Sequence, residues 1–134
     1  MTALTLLRAV VLVGLVAATA QAQDAGRSVL DGVFTTTQAS TGEQKFKQAC
    51  TACHTVDKMT GSRFRAKWGD GTVGDLVDFM SNAMPEGDPG SLTPEEYVNI
   101  AAFFLRDSGY PAGEQPLPTE RSELLKLRIV GLPK

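Results

Sequence analysis

Two cysteines and one histidine fall within five consecutive residues, Cys50-Thr51-Ala52-Cys53-His54, and no other cysteine or histidine occurs in the 134-residue chain. This cluster limits the chemistry of the whole protein. Two thiolates cannot build a four-cysteine zinc site or a disulfide scaffold. A lone histidine excludes a multi-histidine metal centre. If it serves as a ligand, no histidine remains as a general base, which argues against ordinary hydrolase chemistry. The spacing has a physical logic, because helix residues three and four apart are surface neighbours and positions 50, 53 and 54 then share one side. Two thiols so placed can form thioethers with the two vinyl edges of one porphyrin while the next imidazole reaches the iron. C-x-x-C-H is the pattern of covalent c-type haem attachment. Two other readings compete. A thioredoxin-like C-x-x-C belongs at a strand-to-helix turn of a βαβ unit, and no strand-like segment precedes this one. A Cys50–Cys53 disulfide in a non-haem protein leaves the adjacent histidine unexplained.

A second axial ligand follows by elimination. Bis-histidine ligation is impossible, and methionine is the usual partner of histidine in cytochromes c. Of the four methionines, Met1 falls in the N-terminal segment discussed below. Met59 is five residues from His54, at most about 18 Å of extended chain, and would have to swing round the porphyrin edge. Met80 continues the apolar stripe of a helix and reads as core filling. Met84 precedes Pro85, which disfavours α conformation at Met84 and starts the loop MPEGDPG, with two prolines and two glycines. Met84 is the expected ligand, although it too falls on the stripe. If it did not bind iron, the chain would be a haem-based small-ligand binder or sensor with an open sixth position.

The N-terminus predicts export. Arg8 precedes the apolar run Ala9–Ala20, broken only by Thr19 and followed by Gln21-Ala22-Gln23. That is a basic start, an apolar centre and a small-residue exit, the layout of a cleaved secretory signal over residues 1–22. The apolar run is shorter than the roughly 20 residues of a spanning helix, no later stretch is apolar enough to span, and no cysteine lies near the exit to take a lipid. Residues 23–134 are then a single exported, periplasmic domain. The 13 Lys and Arg, less Arg8, stand against 15 Asp and Glu, so no uniform positive field exists for nucleic acid.

The mature chain reads as helices joined by glycine- and proline-rich loops. Residues 23–41 read as an irregular lead-in, and a first helix is expected over Gly42–Cys53 with Thr41 as its N-cap. Phe46, Ala49, Cys50 and Cys53 make its apolar face. Residues 57–71 read as loop. Thr72 and Asp75 form a capping-box pattern before a helix that carries Val73, Leu76, Val77 and Met80. Thr93, Pro94 and Glu96 start another helix with the stripe Tyr97, Ile100, Ala101 and Phe104, stopped by Gly109 and Pro111. A short helix is expected within Thr119–Arg128. No sustained period-2 alternation and no internal repeat occur, so the fold is expected to be all-α.

Three segments carry a family resemblance: DGVFTTTQASTGEQKFKQACTACH (31–54), FRAKWGDGTVGDLVDFMSNAMP (64–85) and PGSLTPEEYVNIAAFFLRDSGYPAG (89–113). The chain resembles class I single-haem cytochromes c, and more narrowly those associated with quinoprotein (PQQ) alcohol-type dehydrogenases. The resemblance implies a small cytochrome c fold, with N- and C-terminal helices crossing over one covalent haem c held by Cys50 and Cys53. His54 and Met84 are then the iron ligands. Gly42 and Phe46 meet Tyr97 at the crossing, and the Trp68 indole donates to a haem propionate or simply covers the haem edge. The implied role is single-electron transport rather than enzymatic catalysis. The protein would act as acceptor or subunit of a periplasmic dehydrogenase and pass electrons to a terminal oxidase or another acceptor. One departure stands out. Family members commonly carry a proline after C-x-x-C-H whose carbonyl orients the histidine, and none lies between His54 and Met84 here. Residues 112–134 form a C-terminal extension that either packs on the core or forms a partner surface.

Charge is segregated along the chain. Lys45, Lys47, Lys58, Arg63, Arg65 and Lys67 are accompanied only by Asp57, whereas seven acids and no Lys or Arg lie from Asp70 to Glu96. Such a dipole orients a protein as it docks on an acidic partner. The same pattern also describes two solvated faces.

Overall fold

The structure, a computed structural model, describes residues 26–133, so the expected signal peptide at 1–22 lies outside the described residues. The chain folds as six helices: α1 Thr36–Ala49, α2 Val56–Met59, α3 Gly61–Trp68, α4 Val73–Ala83, α5 Pro94–Asp107 and α6 Arg121–Leu124. No strand occurs among the described residues. Arg128 makes two isolated bridges, one to Ser28 and one to Thr72.

α1 starts earlier than its apolar periodicity indicates. Thr35 is the N-cap, its Oγ1 accepting from the Gln38 N–H at 3.0 Å. Thr41 is not a cap but lies inside the helix, where its hydroxyl donates to the Thr37 carbonyl at 3.1 Å. The helix also ends earlier, with Cys50 as its C-cap. Cys50 to His54 form a turn in which the N–H groups of Cys53 and His54 both donate to the Cys50 carbonyl, at 3.1 and 2.9 Å. This turn keeps the three side chains close in sequence register without belonging to the helix.

The segment expected to be loop, 57–71, holds α2 and α3. α3 buries only Phe64, so it carries no apolar stripe, and its start is tied elsewhere: the Gly61 N–H donates to Ser108 Oγ at 3.0 Å. α4 and α5 form as expected. Thr72 and Asp75 exchange backbone-to-side-chain bonds of 3.0 and 2.9 Å, and Thr93 and Glu96 do so at 3.2 and 2.9 Å. α6 is shorter than the range 119–128, and the lead-in contains a 3-10 turn over Val29–Asp31 capped by Ser28.

α1 and α5 make the most extensive helix contact. A side chain at Gly42 would collide with the Asn99 carbonyl, so the two backbones touch there. Phe46 extends the contact against Phe103 and Phe104, with ring centroids 5.4 and 5.6 Å away, and Phe104 meets Phe64 at 6.3 Å. The rings that meet Phe46 are therefore Phe103, tilted, and Phe104, edge-on, rather than Tyr97 at the crossing.

α5 is buried on every side from Tyr97 to Leu105, not along one stripe. The same core takes in Val29, Val33 and Phe34 from the lead-in and Leu117, Leu124, Leu127 and Ile129 from the C-terminal segment. That segment packs on the core. Its backbone pairs with the lead-in and with the start of α4: Val29 N to Arg128 O, Val73 N to Leu127 O and Ile129 N to Gly71 O, each 2.9 Å. The Gln38 side chain of α1 both donates to and accepts from the Leu117 backbone, at 3.2 and 2.8 Å.

Candidate functional site: a cavity between the C-x-x-C-H turn and the methionine loop

A cavity of about 400 Å³ opens beside the crossing helices. Protein interiors are close-packed, with few voids larger than a water molecule, so a cavity of this size in so short a chain marks the seat of a large ligand. Its walls are largely apolar, with Phe46, Phe64, Leu76, Ile100 and Phe104 among them.

Cys50, Cys53, His54, Trp68 and Met84 all line this cavity. They come from three places in the chain. Cys50 is half-buried at the end of α1, His54 is half-buried and Cys53 is exposed. Both thiols are free, and burial pushes the Cys50 thiol above its ordinary value, consistent with a neutral sulfur against apolar walls. Trp68 ends α3, its ring 5.6 Å from that of Phe79 on α4 in an edge-on contact. Met84 is the C-cap of α4 in extended conformation and precedes a cis peptide bond to Pro85.

Met59 and Met80 line the cavity as well. They differ from Met84 in setting. Met80 is 7% exposed within the core cluster, and Met59 closes the one-turn helix α2. Of the three, Met84 alone leads into a loop rich in prolines and glycines, 85–90.

The mouth of the cavity is basic. Lys58, Arg63 and Lys67 line it, with Glu86 as the acid among them. Lys67 Nζ stands 4.4 Å from the Phe79 ring centroid and 5.1 Å from that of Trp68, a cation–π arrangement. The other three cations of the basic stretch are engaged elsewhere. Lys45 pairs with Glu96 and Lys47 with Glu43, each at 2.6 Å, and Arg65 donates to the Ser108 carbonyl. Of the six cations of that stretch, Lys58, Arg63 and Lys67 are the ones that line the opening.

Phe79 and Tyr97 are among the lining residues not singled out as site residues from the sequence. Phe79 is 43% exposed, an apolar ring left at the mouth. Its position on the polar side of the α4 stripe was the available signal. Tyr97 read as core, and its hydroxyl partners could not be inferred without the loop geometry.

The family described as cytochrome c oxidase, cbb3-type, subunit III matches residues 37–104, half of the chain. Cytochrome c-551 of Pseudomonas denitrificans is 43% identical over 81 residues, a stretch that covers 49% of this chain and 96% of the relative. The chain belongs to the class I c-type cytochromes. No solved structure matches it. The matched stretch runs from α1 through most of α5 and leaves the C-terminal segment outside.

As a c-type cytochrome the protein carries one covalent haem c and transfers electrons between redox partners. The cavity fits that group. It offers an aromatic-rich apolar wall, two free thiols at C-x-x-C-H spacing, an imidazole and thioether sulfurs, and cations at the mouth suited to carboxylates. No helix among the described residues is long and apolar enough to cross a membrane.

Proposed function

We propose that Cys50 and Cys53 hold the haem through thioethers, that His54 and Met84 are its axial ligands, and that the protein is an exported single-electron carrier. The observation that carries this reading is the convergence of the C-x-x-C-H turn and the Met84 loop, thirty residues apart in sequence, on one apolar cavity. A bound haem c supplies a one-electron Fe(II)/Fe(III) couple, with a potential raised by methionine ligation. With His54 and Met84 both holding the iron, no open site would remain for substrate and transfer would be outer-sphere. The chain's part is then to exclude water from the macrocycle with Phe46, Phe64 and Phe104. It also keeps both ligands fixed through the redox change and presents a docking face.

Residues 1–22 are read as a cleaved signal and 23–134 as the periplasmic cytochrome domain. Trp68 lines the cavity beside Phe79, and its role is read as covering the edge of the bound group or donating its indole N–H to a propionate. The redox donor is proposed to be a quinoprotein dehydrogenase, on the lead-in 31–54 and the run 89–113, and the acceptor a terminal oxidase or comparable protein.

The test is the visible spectrum of protein exported from a host with c-type haem maturation. Sharp low-spin reduced bands, a weak far-red sulfur-to-iron band when oxidised, and loss of that band in Met84→Ala are expected. A high-spin spectrum that shifts on carbon monoxide would establish an open site and a ligand-binding role instead. Absence of porphyrin absorbance would remove the reading altogether. Co-purification with a large catalytic subunit tests the dehydrogenase assignment separately.

A further inference from the structure

The loop that follows Met84 is nearly without anchorage of its own. Glu86 to Ser91 are all exposed. Within it, Asp88 N donates to the Pro85 carbonyl at 3.0 Å and Ser91 N to the Asp88 carbonyl at 3.3 Å. These bonds shape the loop but do not place it on the body of the protein. Its two glycines, Gly87 and Gly90, have φ of 92° and 79°, so the path turns twice without side chains to pack.

One side chain joins its two ends. The Tyr97 hydroxyl, on the fully buried stretch of α5, donates to the Met84 carbonyl at 2.7 Å and accepts from the Gly90 N–H at 3.1 Å. Tyr97 is only 3% exposed and lines the same cavity as Met84. A buried hydroxyl has one hydrogen to give and lone pairs to receive, and here both capacities are spent on the loop. α5 is in turn packed against α1 at Gly42, so the tie runs from the methionine backbone to the most extensively packed helix pair of the fold.

We infer that Tyr97 is a positioning residue for the sixth ligand. Its hydroxyl clamps both ends of the Met84–Gly90 loop to α5 and thereby holds the Met84 sulfur against displacement. This rests on the proposal that Met84 binds iron. The clamp acts on the loop backbone rather than on the iron, so its loss weakens ligation without abolishing it.

The test is Tyr97→Phe, which keeps the ring and removes both hydrogen bonds, studied in the mature holo-protein with imidazole as the displacing ligand. With both bonds lost, imidazole is expected to displace Met84 at a concentration lower by up to roughly thirtyfold. The far-red band should be retained without imidazole. The same variant should raise the exchange rate of the Gly90 amide by roughly tenfold, measured by NMR in the reduced protein. A wild-type far-red band together with an unchanged imidazole titration in Tyr97→Phe would overturn the clamp alone. A wild-type protein without the band would overturn the clamp together with Met84 ligation. Should the variant fail to accumulate, the Gly90 amide of the wild-type protein decides. Protection well beyond that of the Gly87 amide supports the clamp, and equal exchange overturns it.

Discussion

The α carbon of Gly42 lies against the backbone of Asn99, where an added methyl would overlap the Asn99 carbonyl and stand 2.8 Å from the Ile100 nitrogen. Neither neighbour is the free end of a side chain, so relief requires the helices to separate. Gly42→Ala is expected to destabilise the holo-protein by about 1–3 kcal/mol or more, as overpacking does, and to lower Tm by on the order of 10 °C. Gln44→Ala, at an exposed position two residues on, should leave Tm within about 2 °C. Thermal unfolding followed by circular dichroism compares the two.

What the sequence showed of this fold depends on where the determining signal lies. α4 and α5 were legible because their caps are side chains acting on their own first turns, Thr72 with Asp75 and Thr93 with Glu96. The periodicity places the start of α1 too late because Thr36 to Ser40 offers only Ala39 as an apolar residue, and its cap, Thr35, looks like one more residue in a threonine run. α2 and α3 were missed because they are held by contacts from far away, such as Ser108 on Gly61, which leave no periodic trace. The site separates in the same way. The C-x-x-C-H turn announces itself by spacing, and Met84 by its proline. Tyr97 does not, because a hydroxyl partner thirteen residues upstream is a product of the folded loop.

The C-terminal segment is predicted to be part of the folding unit rather than a detachable docking surface. Leu127 is 5% exposed and Leu124 and Ile129 are each 1% exposed. Gly74 of α4 lies so close to Leu125 that a Cβ there would stand 2.8 Å from the Leu125 nitrogen. Leu127→Ala should cost about 2–5 kcal/mol, read as a lower denaturant midpoint with unchanged slope. Deletion of residues 120–134 should prevent accumulation of folded holo-protein. Full stability of Leu127→Ala, with loss only of partner binding, would show the segment to be an interface instead.

Acid should loosen the α1–α5 contact. Bonds from Lys47 and then Arg106 hold the Glu43 carboxyl below its ordinary 4.5. Bonds from Lys45 and then the Thr93 N–H do the same for Glu96. A carboxylate lowered in the folded state contributes stability above the unfolded-state value, and that stability is lost as pH falls through the folded value. The loss is therefore expected below about pH 4.5. Both side chains are about a third exposed, so each share is small and screened by salt. Glu43→Gln and Glu96→Gln should each lower stability at pH 7 slightly and flatten the acid limb of a stability–pH curve. An acid limb of unchanged steepness in the double variant would assign the loss to other groups.

The basic mouth should govern how fast partners are found, not how much energy the complex gains. Lys58, Arg63 and Lys67 ring the opening, whereas Lys47 is paired with Glu43 away from it. Opposite charge on a partner raises the encounter rate, and the effect fades once the Debye length falls to about 8 Å near physiological salt. Transfer to an acidic partner is therefore expected to slow as ionic strength rises. Replacing any one of the three with glutamine should slow it by a few-fold at low salt and hardly at all at high salt. Lys47→Gln should have little effect at either. Stopped-flow reduction of the haem absorbance by an acidic redox protein, repeated across ionic strengths, gives all four slopes. Equal slopes for the mouth variants and Lys47→Gln would mean that net charge, not this opening, steers docking. Lys67→Gln is expected to do more than the other two, because its ammonium also sits over Trp68 and Phe79 and its loss leaves those rings without their cation.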